Sequence, residues 1–226
     1  MTINLSRKRT LNSFFRDHQR EILIGFCVLL VLFVSLIFPQ KSSGESFWLS
    51  LFLFLLFPFL AIRFLLKEPL KDFGLSRGDF RSGVIFSSIV TVVFVFISYL
   101  IVSRPELLNQ LPVTPGIAEN YWYFLLFELF LVLPLHFFWE FFFRGFLQLG
   151  LEKRMGVYSL FLQAFLQTIF VLRGPWIFSS LIFFSALSAG FIARKSRSMI
   201  YSFVSLWIIS ISLDIMIIRA IHQMAK

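Results

Sequence analysis

Apolar residues in this chain are gathered into long blocks, separated by short segments that hold most of the Lys, Arg, Gly and Pro. A run of about 18 or more apolar residues is long enough for one helix to cross a bilayer, at 1.5 Å per residue. We read spans at 22–38, 46–66, 84–103, 121–151, 157–172, 176–193 and 199–219. Lipid offers backbone polar groups no partners, so a spanning segment must satisfy its own, and these runs are far too long for barrel strands. Pro58 predicts a kink in the second span. The fourth run exceeds one crossing, which predicts a tilted or kinked helix whose end projects into the cytoplasm. Pro39-Gln40-Lys41 and Arg173-Gly174-Pro175 read as turns. The expected fold is therefore all-α: a polytopic transmembrane helical bundle of seven spans, or eight if the fourth run divides at Pro134.

Composition agrees with the pattern. Of 226 residues, 58% are hydrophobic and 33 are Phe, with mean hydropathy +0.84; soluble domains average about 45–50% apolar residues. The organisation expected is a basic cytoplasmic arm at 1–21 and a single transmembrane domain at 22–220. The first apolar run follows a polar arm and is long enough to span, so it reads as an anchor, not a cleaved leader.

The net charge of +9 would suggest nucleic acid in a soluble protein. Here the cations lie in loops between apolar blocks, which points to membrane topology and anionic headgroups, and to no nucleic-acid partner. With the N-terminus cytoplasmic, only Lys41, Arg104, Arg173, Arg219 and Lys226 fall outside. That asymmetry predicts a multi-pass protein of the cell membrane oriented N-inside. Cys27 is the sole cysteine; it can form neither an internal disulfide nor a thiolate zinc cluster, and packing is its expected role. No internal repeat is visible, which disfavours an inverted-repeat transporter.

Ionisable side chains at membrane depth need protein or water around them. Glu128, His136, Glu140, Arg144 and Asp214 lie in or at the ends of apolar runs. In "HFFWEFFFRGFLQ" (136–148) a histidine, a glutamate and an arginine follow at steps of four. Each such step drifts by about 40° round a helix, so His136, Glu140 and Arg144 share one narrow stripe. The acid precedes the base, the better order for an i, i+4 pair. Glu128 has rotated off that stripe. Two readings stay open: an ion pair that locks the bundle, or an active site. A catalytic zinc site needs about three protein ligands. The chain has three histidines, of which His18 and His222 lie in the terminal segments. Zinc is expected only if His136 and Glu140 find further ligands. No HExxH motif and no Gly-x-Ser-x-Gly elbow is present.

The segment "WEFFFRGFLQLGLEKRMG" (139–156) resembles the first motif of the CPBP family of intramembrane proteases, the CAAX protease and bacteriocin-processing family. That motif is two glutamates, three apolar residues and an arginine, followed by Gly-Phe-Leu. "LKDFGLSRGDFRSG" (70–83) is similar to the linker before that family's core helices, and "ARKSRSMIYSFVSLWIISISLDI" (193–215) to its last conserved region. The resemblance covers about 70–215. It implies that Glu140 matches the second glutamate and Arg144 the arginine. Trp139 stands where the first glutamate, the one implied to activate water, is expected. In "LQAFLQTIFVLRGP" (162–175) Gln167 falls at the second motif's Phe and Val171 at its His. Leu206 falls at the third motif's His, with Asp214 as an acid in a variant spacing.

The resemblance thus implies a CPBP-type membrane protein that has lost much of its catalytic set. If active, it would process membrane peptides, with Glu140 and Arg144 as catalytic groups and His136 and Asp214 as accessory ones. If inactive, it would hold a peptide or partner helix as a scaffold or pseudo-protease. A transporter is the weaker alternative. Membrane lipids are the remaining expected partners.

Overall fold

The computed structural model describes residues 18–38, 42–108, 110–111, 116–171 and 176–224, and every regular element in it is helical. Most of the basic arm, the turns at 39–41 and 172–175, and residue 226 lie outside the described residues.

Among the described residues seven longer helices follow in order: α1 (Gln19–Ile37), α2 (Gly44–Leu66), α3 (Phe80–Val102), α4 (Tyr121–Met155), α5 (Tyr158–Val171), α6 (Trp176–Ser196) and α7 (Ile200–Met224). Six are long and apolar enough to cross a membrane. The exception is α5, whose 14 residues reach about 21 Å, short of a hydrocarbon core of about 30 Å.

Pro134 does not divide the fourth run. A single helix of 35 residues passes through it. Just before the proline, Glu128–Val132 widens into a π-helical turn. Proline clashes with the carbonyl four residues back and lacks an N–H; a preceding wide turn accommodates both faults. Pro58 in α2 repeats the arrangement, with the π-helical stretch Leu51–Leu56 ahead of it.

The helices are tied at one end by an ionic collar, here called the basic end. Arg20 reaches Glu68 at 2.7 Å and also donates to the Gly150 carbonyl. Lys153 meets Asp72 at 3.3 Å. Glu152 holds Arg194 and Arg197, both at 3.0 Å. Backbone bonds join the 67–79 segment to the α6–α7 turn: Asp79 N–H donates to Ser196 O at 2.7 Å, and Met199 N–H to Gly74 O at 3.1 Å. Residues 75 and 195 therefore belong to one end of the bundle. Gly78 allows this contact, since at its φ of +51° a Cβ would lie 1.9 Å from Ser196 O. Asp79 also caps α3, accepting from Ser82 N–H at 3.2 Å and from the Ser82 hydroxyl at 2.6 Å. These bonds hold its carboxyl below the usual aspartate range. At the opposite end the 116–121 segment packs against the last turns of α7.

Aromatic packing fills the centre. Phe54 of α2 meets Trp139 and Phe142 of α4, each at 5.1 Å between centroids, and Phe170 of α5 at 5.6 Å. In α1 the buried side chains are Ile24, Cys27, Val28, Val31 and Ser35, a stripe at helical spacing. Cys27 is part of this core. Outward faces stay apolar, with Phe26, Phe33, Val92, Phe96 and Phe130 among many exposed large side chains, as lipid contact allows.

Candidate functional site

Every residue from Glu140 to Glu152 is buried, so the polar stripe of α4 faces protein, not acyl chains. Immediately after Glu140 the helix enters a nine-residue π-helical stretch, Phe141–Leu149. Such stretches are uncommon, and single π-bulges recur at functional sites. Glu140 Oε1 pairs with Arg144 Nη1 at 3.0 Å, with 1% and 0% of the two residues exposed.

Two further helices supply partners that sequence reasoning did not assign. Ser202 of α7 donates its hydroxyl to Glu140 Oε2 at 2.6 Å. Gln167 of α5 accepts from Arg144 Nη1 at 2.5 Å. Both carboxylate oxygens are thus engaged. Arg144 is not fully used: its Nε and Nη2 have no hydrogen-bond partner among the described residues. Those two N–H groups are the parallel side-on fork that a carboxylate or a pair of carbonyls fits.

His136 does not join this pair. Its Nδ1 lies 3.0 Å from the Val132 carbonyl of its own helix. His18 sits at the basic end beside Arg154, and His222 Nδ1 lies 2.8 Å from Ile218 O near the end of α7. No imidazole therefore contacts Glu140. Among the described residues no three His, Cys, Asp or Glu side chains converge on a point. With Glu140 spent on Arg144 and Ser202, the residues present do not fit a catalytic zinc ion.

Trp139 and Val171, where the resemblance expects a glutamate and a histidine, stand in mainly apolar surroundings. Trp139 stacks on Phe143 at 5.5 Å and lies 5.3 Å from Phe170, an aromatic box with nothing to stabilise a carboxylate. Val171 lines an apolar cavity of about 440 Å³ between α3, α5, α6 and α7, with Ile97, Leu181, Ile182 and Ile209.

Asp214 is placed elsewhere too. Helices α4 and α7 are antiparallel, and Glu140 stands opposite Ser202. Twelve residues along each helix, about 18 Å, Glu128 faces Asp214 and the Trp207 indole. Neither Glu128 oxygen nor Trp207 Nε1 completes a hydrogen bond of ordinary geometry there.

A second polar seam joins α4 and α5 to α6. Gln148 Nε2 donates to Gly190 O at 2.7 Å, and Gln163 Nε2 to Ala186 O at 2.9 Å. The small residues Ala186, Ala189, Gly190 and Ala193 admit this approach, as is common where membrane helices pack. The only advance signal of these partners was the presence of Gln and Ser inside apolar runs, with Gln163 and Gln167 one turn apart.

Compared with protein-family models, with curated proteins and with solved structures, the chain matches none.

Proposed function

We propose that this is a multi-pass protein of the cell membrane, a degenerate CPBP-type homologue that binds a membrane peptide or partner helix without cutting it. The observation that carries the reading is the closed state of Glu140: one oxygen is held by Arg144, the other by Ser202, and no imidazole is present to share proton transfer. Replacement of the expected acid and histidines by Trp139, Val171 and Leu206 supports the same reading. Binding is inferred from the unpaired Nε/Nη2 fork of Arg144, which is fully enclosed here, so a ligand reaches it only as the helices around it part. A buried donor left unpaired costs about 1–3 kcal/mol, and an incoming peptide carbonyl or carboxylate would remove that cost. The apolar cavity at Val171 is one helical turn from Gln167, about 6 Å along α5, and suits an apolar side chain of the same ligand.

In this reading the N-terminus is cytoplasmic, the basic end faces the cytoplasm, and α5 completes a seventh, short crossing. The test uses purified protein in liposomes with membrane-tethered peptides that carry a photo-crosslinker. Wild type should crosslink through α4 and α5. Arg144→Lys keeps the charge and loses the fork, and should crosslink several-fold less at equal folded protein. Equal crosslinking by both proteins would remove Arg144 from recognition.

A further inference from the structure

Arg194 and Lys195 close α6 at the basic end, and Arg197 follows in the turn. A pocket of about 420 Å³ opens among them, lined also by Glu152 and Phe191. We propose that this pocket holds the phosphate of one anionic membrane phospholipid, with Phe191 against the lipid's glycerol and upper chains.

Three features set the pocket apart from an ordinary solvated basic loop. First, its arginines are held in place. Glu152, with its side chain 5% exposed, accepts from Arg194 Nε with one oxygen and from Arg197 Nη1 with the other, both at 3.0 Å. The Arg194 side chain is 34% exposed and that of Arg197 68% exposed, so part of the entropy lost on ordering these side chains, chiefly that of Arg194, is already spent before a ligand arrives. The remaining N–H groups of both guanidiniums stay available, and a planar fork suits phosphate oxygens.

Second, three cationic side chains face a single carboxylate, so the pocket keeps an excess of positive charge. Lys195 supplies part of it; its Nζ lies 5.7 Å over the Phe191 ring and makes no ion pair among the described residues. Third, polarity is layered as in an amphiphile. Phe191 is one turn deeper than Lys195, about 6 Å. It is 37% exposed and packs edge-on against Phe86 of α3 at 5.1 Å. A free phosphate would use the cations and have no use for the ring, whereas a phospholipid uses both. Basic pockets between membrane helices at a leaflet surface bind anionic headgroups in this way.

The test compares the full chain with Lys195→Glu, and with Lys71→Glu as a control. Lys71 is exposed at the same end of the bundle but does not line the pocket, so both variants make the same change in overall charge. Each protein is purified in phosphatidylcholine–detergent micelles doped with phosphatidylglycerol, and retained lipid is counted by native mass spectrometry. Wild type and Lys71→Glu should retain one phosphatidylglycerol. Lys195→Glu should retain it about thirtyfold less, from roughly 1 kcal/mol per surface charge and a change of about two charge units on reversal. Lys195→Gln should fall between, and stands in if the reversal harms folding. Equal losses in Lys195→Glu and Lys71→Glu would overturn the proposal in favour of general surface attraction. Retention of phosphatidylcholine to the same extent would also overturn it. Displacement by soluble glycerophosphate at the same concentration as the lipid would reassign the pocket to a water-soluble anion.

Discussion

Replacing Glu140 by Ala would leave the Arg144 guanidinium at the centre of the bundle with Gln167 as its one remaining partner. Breaking one side of a buried pair costs about 3–5 kcal/mol, because a buried charge loses its counterpart. Arg144→Ala should cost a similar amount, leaving the carboxylate with only the Ser202 hydroxyl. For a domain of this size each kcal/mol moves the melting temperature by about 2–4 °C, so either single change should lower it by roughly 6–20 °C. The double replacement Glu140→Leu with Arg144→Met removes both charges and keeps most of the volume. It should recover to within about 2 kcal/mol of wild type, since apolar replacement of a whole buried pair is often neutral or stabilising. Ser202 can then turn its hydrogen to Met199 O, already at 2.9 Å. The assay is thermal unfolding in detergent, followed by tryptophan fluorescence and by the monodisperse fraction on gel filtration. Single variants that melt within about 2 °C of wild type would refute the buried-pair argument. So would a double variant whose loss equals the sum of the singles.

Three further outcomes follow from separate parts of the fold. A Cβ at Gly190 would lie 2.6 Å from Gln163 Nε2 and 2.7 Å from Gln148 Oε1; Gly190→Ala should therefore cost about 1–3 kcal/mol, while Gly25→Ala, with nothing within 4 Å, should leave stability unchanged or raised, as melting curves will tell. Asp79 has a lowered carboxyl pKa, so its contribution is fully present above the ordinary aspartate range and is lost as pH falls through the lowered value. Asp79→Asn keeps the cap and should flatten that acid-side loss, measured as melting temperature against pH. Reporter tags at 75 and 195 should both be cytoplasmic and one at 110 external; tags at 75 and 195 on opposite sides would break the shared end built by the Gly74 and Ser196 contacts.

Some of this was legible in the sequence, for definite reasons. Charges inside a Phe-rich run must find partners, and the four-residue step between Glu140 and Arg144 let each be the other's partner. The Lys and Arg of the loops marked the bundle end where Arg20, Lys153 and Arg194 now meet their acids. The contributions of other helices were not legible. Ser202 and Gln167 are ordinary residues in apolar runs until tertiary packing places them at Glu140 and Arg144. His136 shared a stripe on paper, yet its ring bonds to the turn behind it. Asp214 fitted the third motif only in a variant spacing, and the antiparallel register of α4 and α7 that sets Ser202 against Glu140 also sets position 214 against Glu128. The length of the fourth run already pointed to one long helix through Pro134, but the π-helical turn that absorbs the proline has no clear sequence mark.

On the function proposed above, Glu140 holds a ligand-binding arginine in place and does not drive hydrolysis. The most direct measurement incubates the liposome-reconstituted protein with membrane-tethered peptides, with and without added divalent metal, and resolves the products by mass, alongside Glu140→Gln. Peptide should crosslink to the protein and stay intact with both proteins. Cleavage by wild type that disappears in a folded Glu140→Gln variant would contradict it.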